Sequence, residues 1–461
     1  MIRVSQKFLF VAAIWTMLIS APAMSQTTIS PYLFGQNHWL ADGDEGRVGY
    51  LEELWQKVGQ AGVTMVRIGG NGYERDFPNR PRLNKMIENI KSIGAEPLLQ
   101  ISRFSSTAQA AALVQYYTSG SALDVKYFSI GNEPMLNDEE KAEEVYDYVV
   151  RLATAMKKAN PAISIFATDE AWLRVEAYQR FIGGDLDITG LKHDKTFLID
   201  GITFHRYPNG AKFTRDDVLF GGPQGMRKNI ELLVRMISDA DRKYDRQGSA
   251  KLRWGLTEFH VTYSNPNREI AGIGNPSFIA GQFFAEIFSY GMEFEAFTMT
   301  PWCINEVDAV RTDFGFLGMP REFFPRSTYY HMQMLSQAAY RSFVKSQSSS
   351  KWVFPIVTTD GAQHAVMLLN KHESLAQPFS LSLGPLKADL KADLERPGSQ
   401  VKIAIQSNRS AEAFYQGELP AQSTRVLMFD KDGKLVKTIS YSLADNLKHA
   451  KPTVGFGVPA H

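Results

Sequence analysis

Two glutamates stand where bond-breaking chemistry is usually built. Glu133 lies in the run Gly131-Asn132-Glu133-Pro134, just past an apolar β-type segment at Lys126-Ile130, and Glu258 lies in Leu256-Thr257-Glu258-Phe259, at the end of another at Arg253-Thr257. Two facing carboxyl groups suit cleavage of a glycosidic bond with retention of configuration. One stays protonated to assist the leaving oxygen and the other stays ionised to attack the anomeric carbon, from about 5 to 5.5 Å away. Proximity itself pushes their pKa values apart, which helps set these two states. Rival readings of the same residues are a turn carrying a solvated glutamate at Glu133 and a buried partner for an arginine at Glu258. Asp169-Glu170 and Glu306 also follow apolar runs and are the alternative carboxylates.

Distant carboxylates meet only if the chain between them returns to one place. From Ser30 to about Ala339, β-type runs alternate with stretches of helical period. The strand candidates are Tyr32-Gln36, Thr64-Ile68, Glu96-Ile101, Lys126-Ile130, Ser164-Ala167, Gly201-Phe204, Arg253-Thr257 and Ala296-Thr300. Helices are expected at Gly49-Gln60, Pro81-Ile93, Ala108-Tyr117, Asp138-Lys158, Val175-Phe181, Arg227-Tyr244, Phe278-Tyr290 and Arg326-Ala338, with Asn137 as N-cap of the fourth. Eight such pairs in one run predict an α/β fold, a closed (β/α)8 TIM barrel whose strand ends converge on one mouth. Gly69-Gly70-Asn71-Gly72 lacks the spacing of a dinucleotide fingerprint.

After Tyr340 the pattern turns to short alternating segments at Lys351-Thr358, Ala362-Asn370, Pro378-Leu383, Val401-Ile405, Thr424-Phe429 and Leu435-Tyr441. Turn signals at Asp360-Gly361 and Asp432-Gly433 separate some of them, and a smaller all-β sandwich is the simplest reading. Lys345 to Ser350 reads as a flexible linker and Asn446 to His461 as a loosely packed end. The expected division is a signal peptide over 1–25, the catalytic barrel over 26–344 and the sandwich over 345–461.

The leader expectation rests on Arg3 and Lys7, the apolar stretch Phe8 to Ile19 and the small-residue pattern Ala21-Pro22-Ala23. It predicts a secreted or periplasmic protein with no membrane attachment after cleavage. Fifty basic against 49 acidic side chains give no field to gather nucleic acid, so no nucleic-acid partner is expected. Cys303 is the sole cysteine, which excludes an internal disulfide and a cysteine-based zinc site; no metal or other cofactor is expected. Oligomeric state is left open.

With these residues in view, the chain resembles the large clan of retaining (β/α)8 glycosidases that place the acid/base after the fourth strand and the nucleophile on the seventh. The clan's Asn-Glu-Pro run is present as Asn132-Glu133-Pro134. The resemblance implies Glu133 as acid/base and Glu258 as nucleophile, with Asn132 on the substrate's 2-hydroxyl. In His205-Arg206-Tyr207 it implies that Tyr207 hydrogen-bonds the nucleophile beside His205, that Trp302 floors the sugar subsite, and that Arg67 supports the nucleophile. Asn37, Arg103 and Trp172 complete the expected substrate-binding set. Several families of the clan add a sandwich, among them β-xylosidases, α-L-arabinofuranosidases, β-glucuronidases with heparanase, and the glucosylceramidase and xylanase group. They often thread an N-terminal strand through it, which this chain is not expected to do.

The partner implied is a carbohydrate. Loop side chains Arg75, Arg103, Arg174, Arg206 and Lys212 suit an acidic or sulfated glycan, or are simply solvated. Trp39, Phe104, Trp172 and Tyr263 are candidates for stacking on sugars. Two rivals remain open: a non-catalytic carbohydrate-binding protein on the same barrel, and a metal-dependent barrel hydrolase. The second lacks a His-x-His after the first strand.

Overall fold

The computed structural model describes residues 26–38, 54–120, 123–138, 141–306, 313–318, 324–384, 400–406 and 413–457. The leader region and Trp39 lie outside these residues.

Eight parallel strands form one sheet: β1 (Gly35–His38), β2 (Met65–Ile68), β3 (Glu96–Ile101), β4 (Tyr127–Ile130), β5 (Ser164–Glu170), β6 (Gly201–Arg206), β7 (Arg253–Phe259) and β8 (Thr298–Met299). Each pairs with the next in chain order, and a parallel bridge between Phe34 and Met299 joins the first to the last. The expected barrel is present, with element ends displaced by a few residues.

Side chains alternate along each strand, so every second residue enters the barrel. Met65, Leu98, Tyr127, Phe166 and Phe297 plug its lower end, where the rings of Phe166 and Phe297 stack 5.0 Å apart. One step up, polar residues such as Gln100, Ser129 and Thr203 take over. Outward residues such as Phe128, Ile165 and Leu256 meet the surrounding helices in the main core. Helix Ala142–Ala159 begins later than expected. Its cap position is Lys141, whose backbone N–H donates to Glu144, while Asn137 sits in a short turn with φ 56°, a conformation asparagine tolerates better than most residues.

The C-terminal region forms two sheets that share an apolar interior. The larger runs Gln26–Thr28, Ser342–Val344, Val353–Thr359, His364–Asn370, Ser423–Phe429, Leu435–Ser442, Thr453–Phe456; the smaller runs Ser346–Ser348, Val401–Gln406, Gln377–Gly384, Ala413–Leu419. Val366 and Leu368 face the smaller sheet, whereas Ala365, Met367 and Leu369 join the core of the barrel helices. Burial on both faces explains why that strand reads as an unbroken apolar run.

Four expectations are corrected here. The all-β unit begins before residue 345, because Ser342–Val344 belongs to its larger sheet. The supposed linker contains a paired strand, Ser346–Ser348, since its small polar residues sit at a sheet edge. An N-terminal strand does enter the sheet: Gln26–Thr28 pairs antiparallel with Ser342–Val344. Thr453–Phe456 likewise pairs as the opposite edge, within the stretch expected to pack loosely.

Buried polar contacts fasten the two regions. Lys371, from the sandwich, donates to Glu286 and to the Leu219 carbonyl, and Gln282 Nε2 donates to the carbonyls of Asn370 and Ser423.

Candidate active site

Two strand irregularities aim the carboxylates. Between β6 and β7 the register passes from Phe204–Leu256 to His205–Glu258, which leaves Thr257 as an extra residue on β7. Without that bulge Thr257 would stand opposite His205 and the glutamate would point outward. On the other side of β6, Asp169 is the extra residue of β5. The two extra residues meet: Thr257 Oγ1 donates to Asp169 Oδ1 at 2.5 Å.

Glu133 follows β4 with φ 44°, a left-handed conformation unfavourable for a side chain of its size. Its backbone N–H donates to the Asp169 carbonyl at 2.8 Å. The carboxyl group takes a hydrogen bond from Asn71 Nδ2 at 3.1 Å and lies 3.0 Å from His205 Nδ1. Glu258 receives Arg67 Nη1 at 2.9 Å on one oxygen and Tyr207 Oη at 3.0 Å on the other. His205 Nδ1 is 3.7 Å from that second oxygen. One carboxylate oxygen from each glutamate and a His205 nitrogen lie within 4.8 Å of one another, so the two acids share a single small space.

Arg67 organises the floor. It is fully buried on β2 and reaches Asn37, Gln100, Asn132, Asp169 and Glu258 at 2.5 to 3.3 Å. Against its own burial, Asp169 and Glu258 hold its pKa above the ordinary value, so the guanidinium keeps its charge. Burial pushes Glu258 upward and outweighs the opposing pull of His205 and Arg67. Glu133 is held down against burial by the hydrogen bond and charge of His205, with help from Asn71. His205 is raised, the charges of Glu258 and Glu133 overcoming the effect of burial. These directions favour the proton on His205 over Glu133, the reverse of the protonated acid expected at Glu133.

Above the pair opens a cleft of 990 Å³ lined by Trp172, Arg174, Arg206, Tyr263, Trp302 and both glutamates, among others. The Trp302 ring lies over Gly70, where an added Cβ would fall 2.6 Å from Cη2, so glycine is required for this approach. Trp172 and Tyr263 are 37% and 61% exposed and offer flat apolar faces to a passing chain.

Of the expected residues, the structure brings Glu133, Glu258, His205, Tyr207, Trp302 and Trp172 to one cleft. Asn37 does not belong to a substrate-binding set. It is fully buried, its Nδ2 donating to the carbonyls of Thr257 and Thr300 and its Oδ1 taking Arg67. Arg67 likewise meets only protein groups, as a support for Glu258. Asn132 is 1% exposed with its amide bonded to Arg67 and Asn71, and Arg103 donates to the Asn132 carbonyl from a buried position. Asn132 acts on the cleft from behind, whereas Arg103 also lines an adjoining pocket with Asn71 and Glu133. Asp169, Glu170 and Glu306 are buried and engaged by Arg67, by the N–H of Met135 and by the N–H of Phe314 respectively. Asn71 was not expected here; its signal was position, in a glycine-rich turn directly after the second strand.

Fold and cleft together define a (β/α)8 barrel with a C-terminal β domain, the architecture of glycoside hydrolases of families 51 and 44. A family 51 α-L-arabinofuranosidase from Bifidobacterium longum superposes with a TM-score of 0.63 at 14% identity, over 87% of this chain and 96% of that one. Another family 51 α-L-arabinofuranosidase, from Thermotoga petrophila, gives 0.62 at 15% identity over 88% and 98%. A family 44 endoglucanase from Clostridium thermocellum gives 0.56 at 14% over 87% and 97%. No protein-family model and no curated protein matches the sequence.

Proposed function

We propose that the protein is an exported retaining glycoside hydrolase, with Glu258 as nucleophile and Glu133 as acid/base. The observation that carries this reading is the pair itself. Two glutamates from β4 and β7 present oxygens within 4.8 Å of each other at the mouth of a glycosidase-like barrel. That spacing suits direct attack on the sugar, whereas inversion needs about 6.5 to 9.5 Å to admit a water.

In the first step a Glu258 oxygen bonds the anomeric carbon as the glycosidic C–O bond breaks, and the Glu133 proton goes to the leaving oxygen. In the second step Glu133 removes a proton from water, which displaces Glu258 and restores both groups. Arg67 and Tyr207 orient Glu258 for attack. His205 holds the proton that Glu133 delivers, and transfer along their 3.0 Å contact gives the neutral acid without any change in net charge. The flat faces of Trp302, Trp172 and Tyr263 support the sugars. Glu133, His205 and Glu258 also have the composition of a metal site. That reading is disfavoured because both Glu258 oxygens already serve Arg67 and Tyr207.

A 2-deoxy-2-fluoro glycoside with an activated leaving group tests the assignment. It should leave a sugar-sized mass on the peptide containing Glu258, and labelling of another residue would overturn the roles given.

A further inference from the structure

The basic residues around the cleft are not equivalent. Arg174 stacks over Trp172 at 4.0 Å, donates to the Met135 carbonyl and lies 3.5 Å from Glu170. Arg103 is buried against the Asn132 carbonyl. Arg206 differs from both. It lines the cleft half-buried, and among the described residues it has no hydrogen bond, ion pair or ring contact; a buried Nε–H without an acceptor it shares with the other two. Burial pulls its pKa down and no carboxylate pulls it back, so neither Glu133 nor Glu258 neutralises it.

A half-buried guanidinium with no partner among the described residues is a ready place for a ligand to bind. Its place in the chain sets where that ligand lies. Arg206 sits between His205, which contacts Glu133, and Tyr207, which contacts Glu258. A group bound by Arg206 therefore lies in the same cleft as both glutamates. A sugar hydroxyl can accept from Arg206 but brings no opposite charge; a planar carboxylate brings the charge and matches the fork of donors.

We propose that Arg206 binds the carboxylate of a uronic acid residue, so that the substrate is a uronic-acid-containing glycan. This rests on the glycosidase reading above and deepens it. The test is kcat/KM for 4-nitrophenyl hexuronides against the hexosides that differ only at C6, in both anomers and in the gluco and galacto series. The accepted uronide should exceed its hexoside by at least about tenfold, and Arg206→Gln should lower that ratio by about 10- to 100-fold, with Arg206→Lys recovering part of it. Preference for the hexoside, or a ratio unmoved by Arg206→Gln in a variant with wild-type melting, overturns the inference and leaves the glycosidase reading standing.

If no aryl glycoside is turned over, calorimetric titration of the full chain decides. Glucuronate- or galacturonate-containing oligosaccharides that bind through Arg206 would support the uronate site while the glycosidase reading fails; absence of binding would sink both. Tighter, Arg206-dependent binding of a sulfated neutral oligosaccharide would replace the carboxylate with a sulfate and overturn the proposal as stated.

Discussion

His205 Nδ1 stands 3.0 Å from a carboxylate oxygen of Glu133, and between them these groups hold one exchangeable proton. Because His205 is raised from 6.5 and Glu133 lowered, the proton of the pair rests by preference on His205. Its loss defines an alkaline limb of kcat/KM above pH 6.5. The acid limb belongs to Glu258, raised above 4.5, which must be ionised to attack. Removing the imidazole in His205→Asn leaves Glu133 to keep its own proton, so the alkaline limb should move to lower pH. A profile whose alkaline limb stays put would show that His205 does not hold the proton.

Glu258→Ala should lose turnover on every substrate. Glu133→Ala should spare aryl glycosides with good leaving groups, which need no protonation, and azide should partly restore its second step. Equal losses on activated and unactivated substrates would argue against Glu133 as the acid.

Arg67 joins groups from most of the barrel strands, so its removal should be felt in both folding and rate. Arg67→Met strands the buried charges of Asp169 and Glu258 and should cost about 3 to 5 kcal/mol in urea unfolding. Arg67→Lys keeps a charge but cannot span five acceptors, and kcat should fall by about 100-fold. A fully active Arg67→Lys would reduce the residue to a structural ion pair.

Lys371 and Glu286 tie the sandwich to the barrel from buried positions. Lys371→Met should destabilise the protein by about 3 to 5 kcal/mol, and adding Glu286→Gln should recover part of the loss. With the central strand His364–Asn370 of the larger sheet buried on both faces, barrel and sandwich should melt in one transition; two separate transitions would contradict this.

Stability in acid follows from three buried histidines. His38, His260 and His331 are lowered by burial to about 3, about 3 and about 4. The unfolded chain binds those protons near 6.5, so their contribution is lost as pH falls below that value. Glu74 and Glu170, raised by burial to about 7, act oppositely between 7 and 4.5, where the folded state binds the extra protons. Melting temperature should change little from pH 7 to 5 and drop below about 4.5, and His38→Asn should flatten that drop.

The sequence carried the barrel because short apolar strand runs alternate with stretches of helical period, eight times over. Glu133 was visible through its tripeptide, and Tyr207 and Trp302 through their places after strands six and eight. The bulges at Thr257 and Asp169 were not visible, since an extra strand residue has no marker in composition, and the inward turn of Glu258 depends on one of them. Asn37 was misassigned for a related reason: a polar residue at a strand end looks the same whether it meets a ligand or, as here, the carbonyls of neighbouring strands. Single apolar strands of three residues, such as the one at Ser342–Val344, fall below what periodicity can register.

The pairing of Gln26–Thr28 with Ser342–Val344 sets an order on how the protein can be completed. The first strand leaves the ribosome roughly three hundred residues ahead of its partner, and domains generally form as units while synthesis proceeds. The barrel helices must therefore wait, with one apolar flank open, until the sandwich is made. A chain cut between the two regions should leave that flank exposed and prone to aggregate.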